Sequence, residues 1–344
     1  MHWLEMTEKE LCEYFKAQNL PSFRGTQVFE GIHGQRKTLE EIQNVPKKIK
    51  EILPGALSSV QIEKVFPSKK DDTKKMLYRL EDGELIEGVL MKYKHGHSLC
   101  VSTQVGCKMG CRFCASTQNG KIRDLRPFEM LEQIYVVERE LGVNISNIIL
   151  MGSGEPLDNY ENVIQFLRVL HDPKGKNLSY RSMTISTCGL VPEILRLAEE
   201  QMPVQLAISL HETDQKRREK LMPVAHKHSL SQLFKALREY QEKTKQRVTL
   251  EYTMIEGEND QEENLKELIR WTENLNVLIN LIPLNPNEHY NGKRPDRNRI
   301  YQFQHRLEKN HRNATVRREL GSDINASCGQ LKAGYENGIK GVRE

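Results

Sequence analysis

The sequence has no apolar run approaching the roughly 20 residues of a membrane span, which excludes a helical integral membrane protein. Its first residues, Met1-His2-Trp3-Leu4-Glu5-Met6-Thr7-Glu8, lack the basic and apolar regions of a signal peptide. Cysteine is scarce: there are seven, odd in number and clustered, which argues against a secreted disulfide scaffold. Neither an internal repeat nor a low-complexity stretch is present. The net charge of +4 is only mildly basic, so any nucleic-acid footprint has to come from local clustering. These absences leave the cytoplasm as the expected compartment. The rest is ordinary for a soluble globular chain. With 344 residues, 38% hydrophobic and 28% charged, it is long enough for one large α/β domain or a domain with an appendage.

The chemistry concentrates in Cys107-Lys108-Met109-Gly110-Cys111-Arg112-Phe113-Cys114. Thiols packed this closely in an intracellular chain usually hold metal. Gly106 and Gly110 free the backbone to wrap a centre, since glycine reaches φ > 0 at little steric cost. Structural zinc wants four ligands, commonly from two Cys-x-x-Cys knuckles, and here a second knuckle is missing. Three thiolates on a four-iron cluster would leave one iron open to a substrate or cofactor. The spacing Cys-x-x-x-Cys-x-x-Cys, with Phe113 before the last cysteine, resembles the radical S-adenosylmethionine (SAM) motif. On the three cysteines alone, zinc or another cluster remains an alternative.

Residues up to about Pro54 predict a small helical unit. Thr7 and Glu10 resemble a capping box, a second segment runs from Gly25 to Gly34, and a third from Thr38 to Leu53 carries Leu39, Ile42, Ile49 and Leu53. Short strands follow from Lys75 to Leu80, Leu85 to Lys92 and Ser98 to Ser102, with Asp82-Gly83 as a hairpin turn. Beyond the cysteine loop, amphipathic helices alternate with apolar strands at Met183 to Thr187, Gln205 to Leu210, Val248 to Met254 and Val277 to Pro283. Such alternation predicts parallel βαβ units. Six of them fit, so the expected fold is α/β, an incomplete (β/α)6 TIM-like barrel with a small N-terminal helical domain and chemistry at the carboxyl ends of its strands. The expected division is 1–58 for the helical unit, 59–98 for a strand extension, 99–328 for the barrel and 329–344 for a tail.

Polar groups recur at the strand ends: Gly154-Glu155, Ser186, Ser209 to His211, and Asn285. Singly, each reads as well as a helix cap or loop hydrogen bond. From Tyr290 to Arg318 the charge is locally basic, with Tyr290, Tyr301 and Phe303 interleaved, a pattern suited to phosphates and unpaired bases or to a solvated helix face.

Taken together, the cysteine triplet, Gly-Glu-Pro, Ser-Leu-His and Asp-Ile-Asn-Ala-x-Cys-Gly-Gln-Leu resemble the RlmN/Cfr family over nearly the whole chain. The resemblance implies a radical SAM methyltransferase acting on adenosine carbons in RNA. Its cofactors would be one 4Fe–4S cluster, held by Cys107, Cys111 and Cys114, and two SAM molecules per turnover. SAM would contact Gly154, Glu155, Ser186, Ser209, Leu210, His211 and Asn285. Cys328 would carry the methyl group, Glu87 would be the general base, and Cys100 would form a transient disulfide with Cys328. The Gly-Glu-Pro-Leu-Asp-Asn run favours carbon 2 over the carbon 8 of the Cfr type, against which Leu284 before Asn285 is a departure. The implied substrates are 23S rRNA in the peptidyl-transferase region and tRNA beside the anticodon. An electron donor such as flavodoxin or ferredoxin is expected, no membrane, and a monomer.

Overall fold

The computed structural model describes residues 2–53, 60–94, 96–285, 290–327 and 329–331. The chain opens with α1 (Glu8–Ala17) and α2 (Phe23–Phe29), the latter running into a π-helical turn at Glu30–Gly34. Thr7 accepts from Glu10 N, and Glu10 accepts from Thr7 N at 2.7 Å, the expected reciprocal cap. The helix expected from Thr38 to Leu53 shrinks to one turn, α3 (Lys47–Lys50). Pro46 has no N–H to donate and biases Val45 away from the helical region. Leu39, Ile42, Ile49 and Leu53 are still buried, so their spacing marks a buried face without a helix.

Next comes an antiparallel meander of β1 (Val60–Pro67), β2 (Lys74–Leu80), β3 (Leu85–Tyr93) and β4 (Gly96–Cys100). Its first strand was not among those expected. The small ribbon β5 (Gln104–Gly106) with β6 (Lys121–Asp124) then closes the base of the cysteine loop. From α4 (Pro127–Leu141), elements alternate through β7 (Ile145–Leu150), α5 (Tyr160–His171), β8 (Met183–Thr187), α6 (Val191–Glu199) and β9 (Gln205–Ser209). They continue through α7 (Gln215–Leu221), α8 (Leu230–Thr244), β10 (Val248–Met254), α9 (Glu262–Trp271), β11 (Val277–Pro283), α10 (Arg297–Lys309) and β12 (Ala314–Val316).

All strands but β5 and β6 form one sheet in the order β1-β2-β3-β4-β7-β8-β9-β10-β11-β12. Pairing is antiparallel up to β4 and parallel from β4 onward. The expected barrel strands are therefore present as β4 and β7 to β11, with β12 added at the edge. Helix periodicity explains the outer layer. On α8, Leu230, Leu233, Phe234, Leu237 and Tyr240 are buried on one face, and each fully buried Leu or Phe contributes about 2 kcal/mol. Trp3, Phe15 and Phe29 belong to the same apolar core as Ile134, Phe166 and Ile185. The helical unit thus shares the barrel's core.

One buried carboxylate ties that unit down. Glu138 of α4 accepts from Arg36 Nε at 2.6 Å, Lys176 Nζ at 2.5 Å and Ile145 N at 2.8 Å. Lys176 is almost fully enclosed, its side chain 2% exposed, so removing the carboxylate strands a buried cation. We expect Glu138→Gln to lower the unfolding free energy by about 3–5 kcal/mol in urea titrations. A loss below about 1 kcal/mol, typical of an exposed pair, would contradict this account.

Candidate active site at the strand ends

The cysteine loop is built by its backbone. Gly106 and Gly110 both take positive φ, 74° and 73°, as the turn requires. Cys107 N donates to Gly120 O at 2.9 Å, and Arg112 N donates to Leu221 O at 3.0 Å. Thr117 Oγ1 donates to Cys111 O and Cys114 O. Cys107 and Cys111 are buried and Cys114 is half-buried; all three line one cleft. Burial pushes the Cys107 thiol up to about 12 and the Cys111 thiol well above its ordinary value. Among the described residues, no three His, Cys, Asp or Glu side chains converge on a point as a lone metal ion would require.

The cleft encloses about 920 Å³, its open mouth included. Its walls are the carboxyl ends of the parallel strands. Gly154, Glu155, Ser186, Ser209, His211 and Asn285 line it. Leu210 does not: its N donates to Glu251 O and its O accepts from Arg218, so its backbone is spent within the fold. Gly152 and Gly154 both line the cleft and also pack closely against the chain behind it. A Cβ at Gly152 would lie 2.6 Å from Ser102 N, and one at Gly154 would lie 2.7 Å from Thr103 Oγ1.

Burial raises the Glu155 carboxyl above its ordinary range, opposed by N–H donors from Cys188 at 2.7 Å and Leu157 at 3.1 Å. The side chains of Thr187 and Cys188 also reach this carboxylate, whose charge lies on the cleft wall. His211 sits in the left-handed region at φ 55°, its carbonyl accepting from Asn259 Nδ2 at 2.7 Å. Thr253 N donates to His211 Nδ1 at 3.0 Å, so the neutral ring carries its proton on Nε2 as a donor to the cleft. Phe113 packs edge-on against this ring at 4.7 Å.

A second cavity adjoins the first, and Met151, Ile282, Asn285 and Arg317 line both. Cys100, Arg294, Arg318, Ala326, Ser327 and Leu331 complete much of its wall. Val89 pairs opposite Cys100, so strand alternation puts Glu87, Val89, Met91 and Cys100 on one face of the sheet. Glu87 is buried there, 3.2 Å from Lys75 Nζ. Cys328 lies outside the described residues. Its neighbours do not: Ser327 lines the second cavity and Gly329 the first. Ala115 N donates to Gly329 O at 2.8 Å, which fastens this segment to the cysteine loop.

Residues 101–269 match the Radical SAM superfamily. The "Probable dual-specificity RNA methyltransferase RlmN" of Clostridioides difficile (strain 630) is 44% identical over 332 residues, 96% of this chain and 97% of that one. The protein of that name from Alkaliphilus metalliredigens (strain QYMF) is 45% identical over 334 residues, covering 96% and 95%. A radical SAM methyltransferase from Sphaerobacter thermophilus superposes with a TM-score of 0.91 at 38% identity, over 96% of this chain and 99% of its own. The chain belongs to the RlmN family.

Members of the RlmN family are radical SAM methyltransferases, and membership implies a 4Fe–4S cluster and SAM. The residues present fit these groups. Buried thiols with raised pKa values ionise readily only when a metal's charge compensates them. Beside them, Glu155 and His211 offer an acceptor and a donor to a zwitterionic ligand.

Sequence reasoning missed Glu251 and Arg317 as cleft residues. Burial raises the Glu251 carboxyl, which accepts from Asn280 Nδ2 at 2.8 Å and stands 3.7 Å from Arg317 Nη1. The signal was a lone acid inside the apolar strand Leu250-Glu251-Tyr252. Much of the basic segment is already paired. Arg294 donates to Glu319 at 2.9 Å, Arg306 pairs with Glu262, and Arg299 lies 3.5 Å from buried Asp260.

Burial pushes His211 down to about 3. This folded value lies below the unfolded value of about 6.5, so the unfolded chain takes up the proton first as pH falls. His211 therefore withdraws about 1.4 kcal/mol of stability per pH unit between about 6.5 and 3. We expect His211→Asn, which tolerates the left-handed backbone, to lose about 2 kcal/mol less stability than wild type between pH 7 and 5. Urea titrations at the two pH values measure it. Equal losses would show that His211 ionises in the folded protein.

Proposed function

We propose that this chain methylates carbon 2 of adenosine in RNA, with 23S rRNA in the peptidyl-transferase region and tRNA beside the anticodon as substrates. The observation that carries the reading is the placement of Ser327 and Gly329 on adjoining cavities, one lined by Cys107, Cys111 and Cys114 and the other by Cys100 and arginines. A methyl carrier at residue 328 would then stand between the cofactor side and the RNA side. The relatives' name supports the RNA substrates and the carbon-2 branch.

In this reading Cys107, Cys111 and Cys114 hold the cluster, while Gly154, Glu155, Ser186, Ser209, His211 and Asn285 seat SAM, and Leu210 only holds the strand end behind them. Bound there, the cluster supplies an electron and SAM supplies both the methyl group and the 5′-deoxyadenosyl radical. The chain's own groups do the rest. The Cys328 thiol takes the methyl as a sulfur nucleophile and carries it to the base. Glu87, oriented by Lys75, removes the ring proton at the end of the reaction. Cys100 attacks the Cys328 sulfur, so the sulfur–carbon bond to the base breaks and a disulfide forms. The electron pair stays on that carbon, which takes up a proton to become the methyl group, and an external thiol then reduces the disulfide. Arg318, on the second cavity's wall, faces the nucleotide's phosphates. We further propose two SAM molecules per turnover, a flavodoxin or ferredoxin as electron donor, a monomer, and a cytoplasmic location. In the structure, no helix of the described residues is long and apolar enough to cross a membrane.

Nucleoside mass spectrometry tests the proposal. The protein is reconstituted anaerobically with iron and sulfide, then incubated with rRNA or tRNA, SAM and a reductant. We expect 2-methyladenosine in both RNAs. Product confined to 8-methyladenosine would replace the carbon-2 reading with the Cfr type. No methylated adenosine from protein carrying a full cluster would overturn the function.

A further inference from the structure

Arg218 is the largest fully buried side chain in the structure, with no measurable exposure. It lies on α7, in a run of charged residues, Gln215-Lys216-Arg217-Arg218-Glu219-Lys220, that reads as a solvated face. Its neighbours Lys216 and Lys220 are exposed; Arg218 is turned inward. Among the described residues it has no carboxylate partner. Its Nε donates to Leu210 O at 3.1 Å, and its Nη2 donates to Cys188 O at 2.8 Å and Ser209 O at 3.2 Å. Its Nη1 has no hydrogen-bond partner among the described residues. A buried guanidinium neutralised only by carbonyl dipoles is costly, by several kcal/mol in general. The fold keeps one regardless.

Its location supplies a reason. Cys188, which takes one of its bonds, packs in one apolar cluster with Cys111, Leu221 and Met222. Leu221, three residues on, accepts from Arg112 N in the middle of the cysteine loop. Met222 N donates to Arg218 O at 2.7 Å, so the guanidinium and the loop's anchor share one rigid turn. The cation is thus tied through Cys188 and through Leu221 to the apolar cluster that holds Cys111. A four-iron core of formal charge two plus, held by three thiolates, carries one net minus charge. Its reduction by one electron from an external low-potential donor makes that two minus. A fixed cation in a dry setting favours the more negative state, and net charge and surroundings are what set such potentials.

We propose that Arg218 is the built-in counter-charge of the cluster, a positioning residue that touches no substrate and makes the cluster easier to reduce. The inference rests on the reading of Cys107, Cys111 and Cys114 as its ligands. Arg218 also fastens the ends of β8 and β9 through Cys188, Ser209 and Leu210, which keeps the charge from moving when SAM binds or leaves.

The test is a potentiometric titration followed by electron paramagnetic resonance, at a pH low enough to keep a buried lysine charged, on anaerobically reconstituted wild type, Arg218→Gln and Arg218→Lys, matched for iron and sulfide and without RNA. We expect the midpoint potential of Arg218→Gln to shift negative and that of Arg218→Lys to stay near wild type. A purely structural arginine would predict neither the shift nor its rescue by lysine. If Arg218→Gln titrates with wild type, or if lysine shifts as far as glutamine, the counter-charge is overturned. Should the glutamine variant not fold, Arg218→Lys decides alone: it loses the guanidinium bonds and keeps the charge, so an unmoved potential supports the proposal and a negative shift ends it. A wild-type protein that assembles no four-iron cluster sinks the ligand reading as well. A loaded cluster with an unmoved potential in Arg218→Gln sinks only the counter-charge.

Discussion

Three backbone hydrogen bonds decide the shape of the cysteine loop: Cys107 N to Gly120 O at 2.9 Å, Arg112 N to Leu221 O at 3.0 Å, and Ala115 N to Gly329 O at 2.8 Å. Each reaches a different part of the chain: the ribbon of β5 and β6, the end of α7, and the C-terminal segment. A single such bond contributes only about 1 kcal/mol net. Their geometric effect is larger, because the thiols reach the cleft only when all three partners are in place. The parallel sheet supplies that condition, since it delivers every one of these segments to the same end of the strands.

Convergence at one end produces two adjoining cavities rather than one large hollow. Met151, Ile282, Asn285 and Arg317 form their common wall. The chemical demands on the two sides differ. A cofactor that yields a radical needs a dry, closed site, whereas an RNA base must enter and leave from solvent. Glu251 holds Arg317 at this wall from within the barrel, while Arg318 marks the outer side as the one suited to phosphate. A methyl carrier that serves both cavities, as proposed for Cys328, lets the two chemistries proceed without merging their sites.

Strong periodicity made most of the barrel legible in the sequence. The strands Met183–Thr187, Val248–Met254 and Val277–Pro283 and the helix Pro127–Leu141 have the bounds that their apolar patterns predict. The helix expected from Thr38 to Leu53 failed because apolar spacing reports burial, and Pro46 had the deciding vote on conformation. In α7 the opposite happened. Its composition is nearly all charge, so neither the helix nor the inward turn of Arg218 could be seen without the cavity it fills. Strands β5 and β12 are three residues each and depend wholly on tertiary pairing. At the site, the clustered thiols proposed to hold the metal were legible from spacing. Glu87, Cys100 and Cys328 carry no local signal, and only the family resemblance singled them out.

The central claim is that two thiols, those of Cys328 and Cys100, transfer the methyl group and then release the methylated base. Cys100 tests it most directly, because neither methylation of Cys328 nor addition to the base uses a second thiol, whereas release does. Cys100→Ala, loaded with its cluster and given RNA, SAM and reductant, should accumulate a covalent protein–RNA adduct. The adduct should survive a denaturing gel, collapse on RNase digestion, and be absent from the double variant Cys100→Ala, Cys328→Ala. Methylated RNA released at the wild-type rate, with no adduct, would contradict the account.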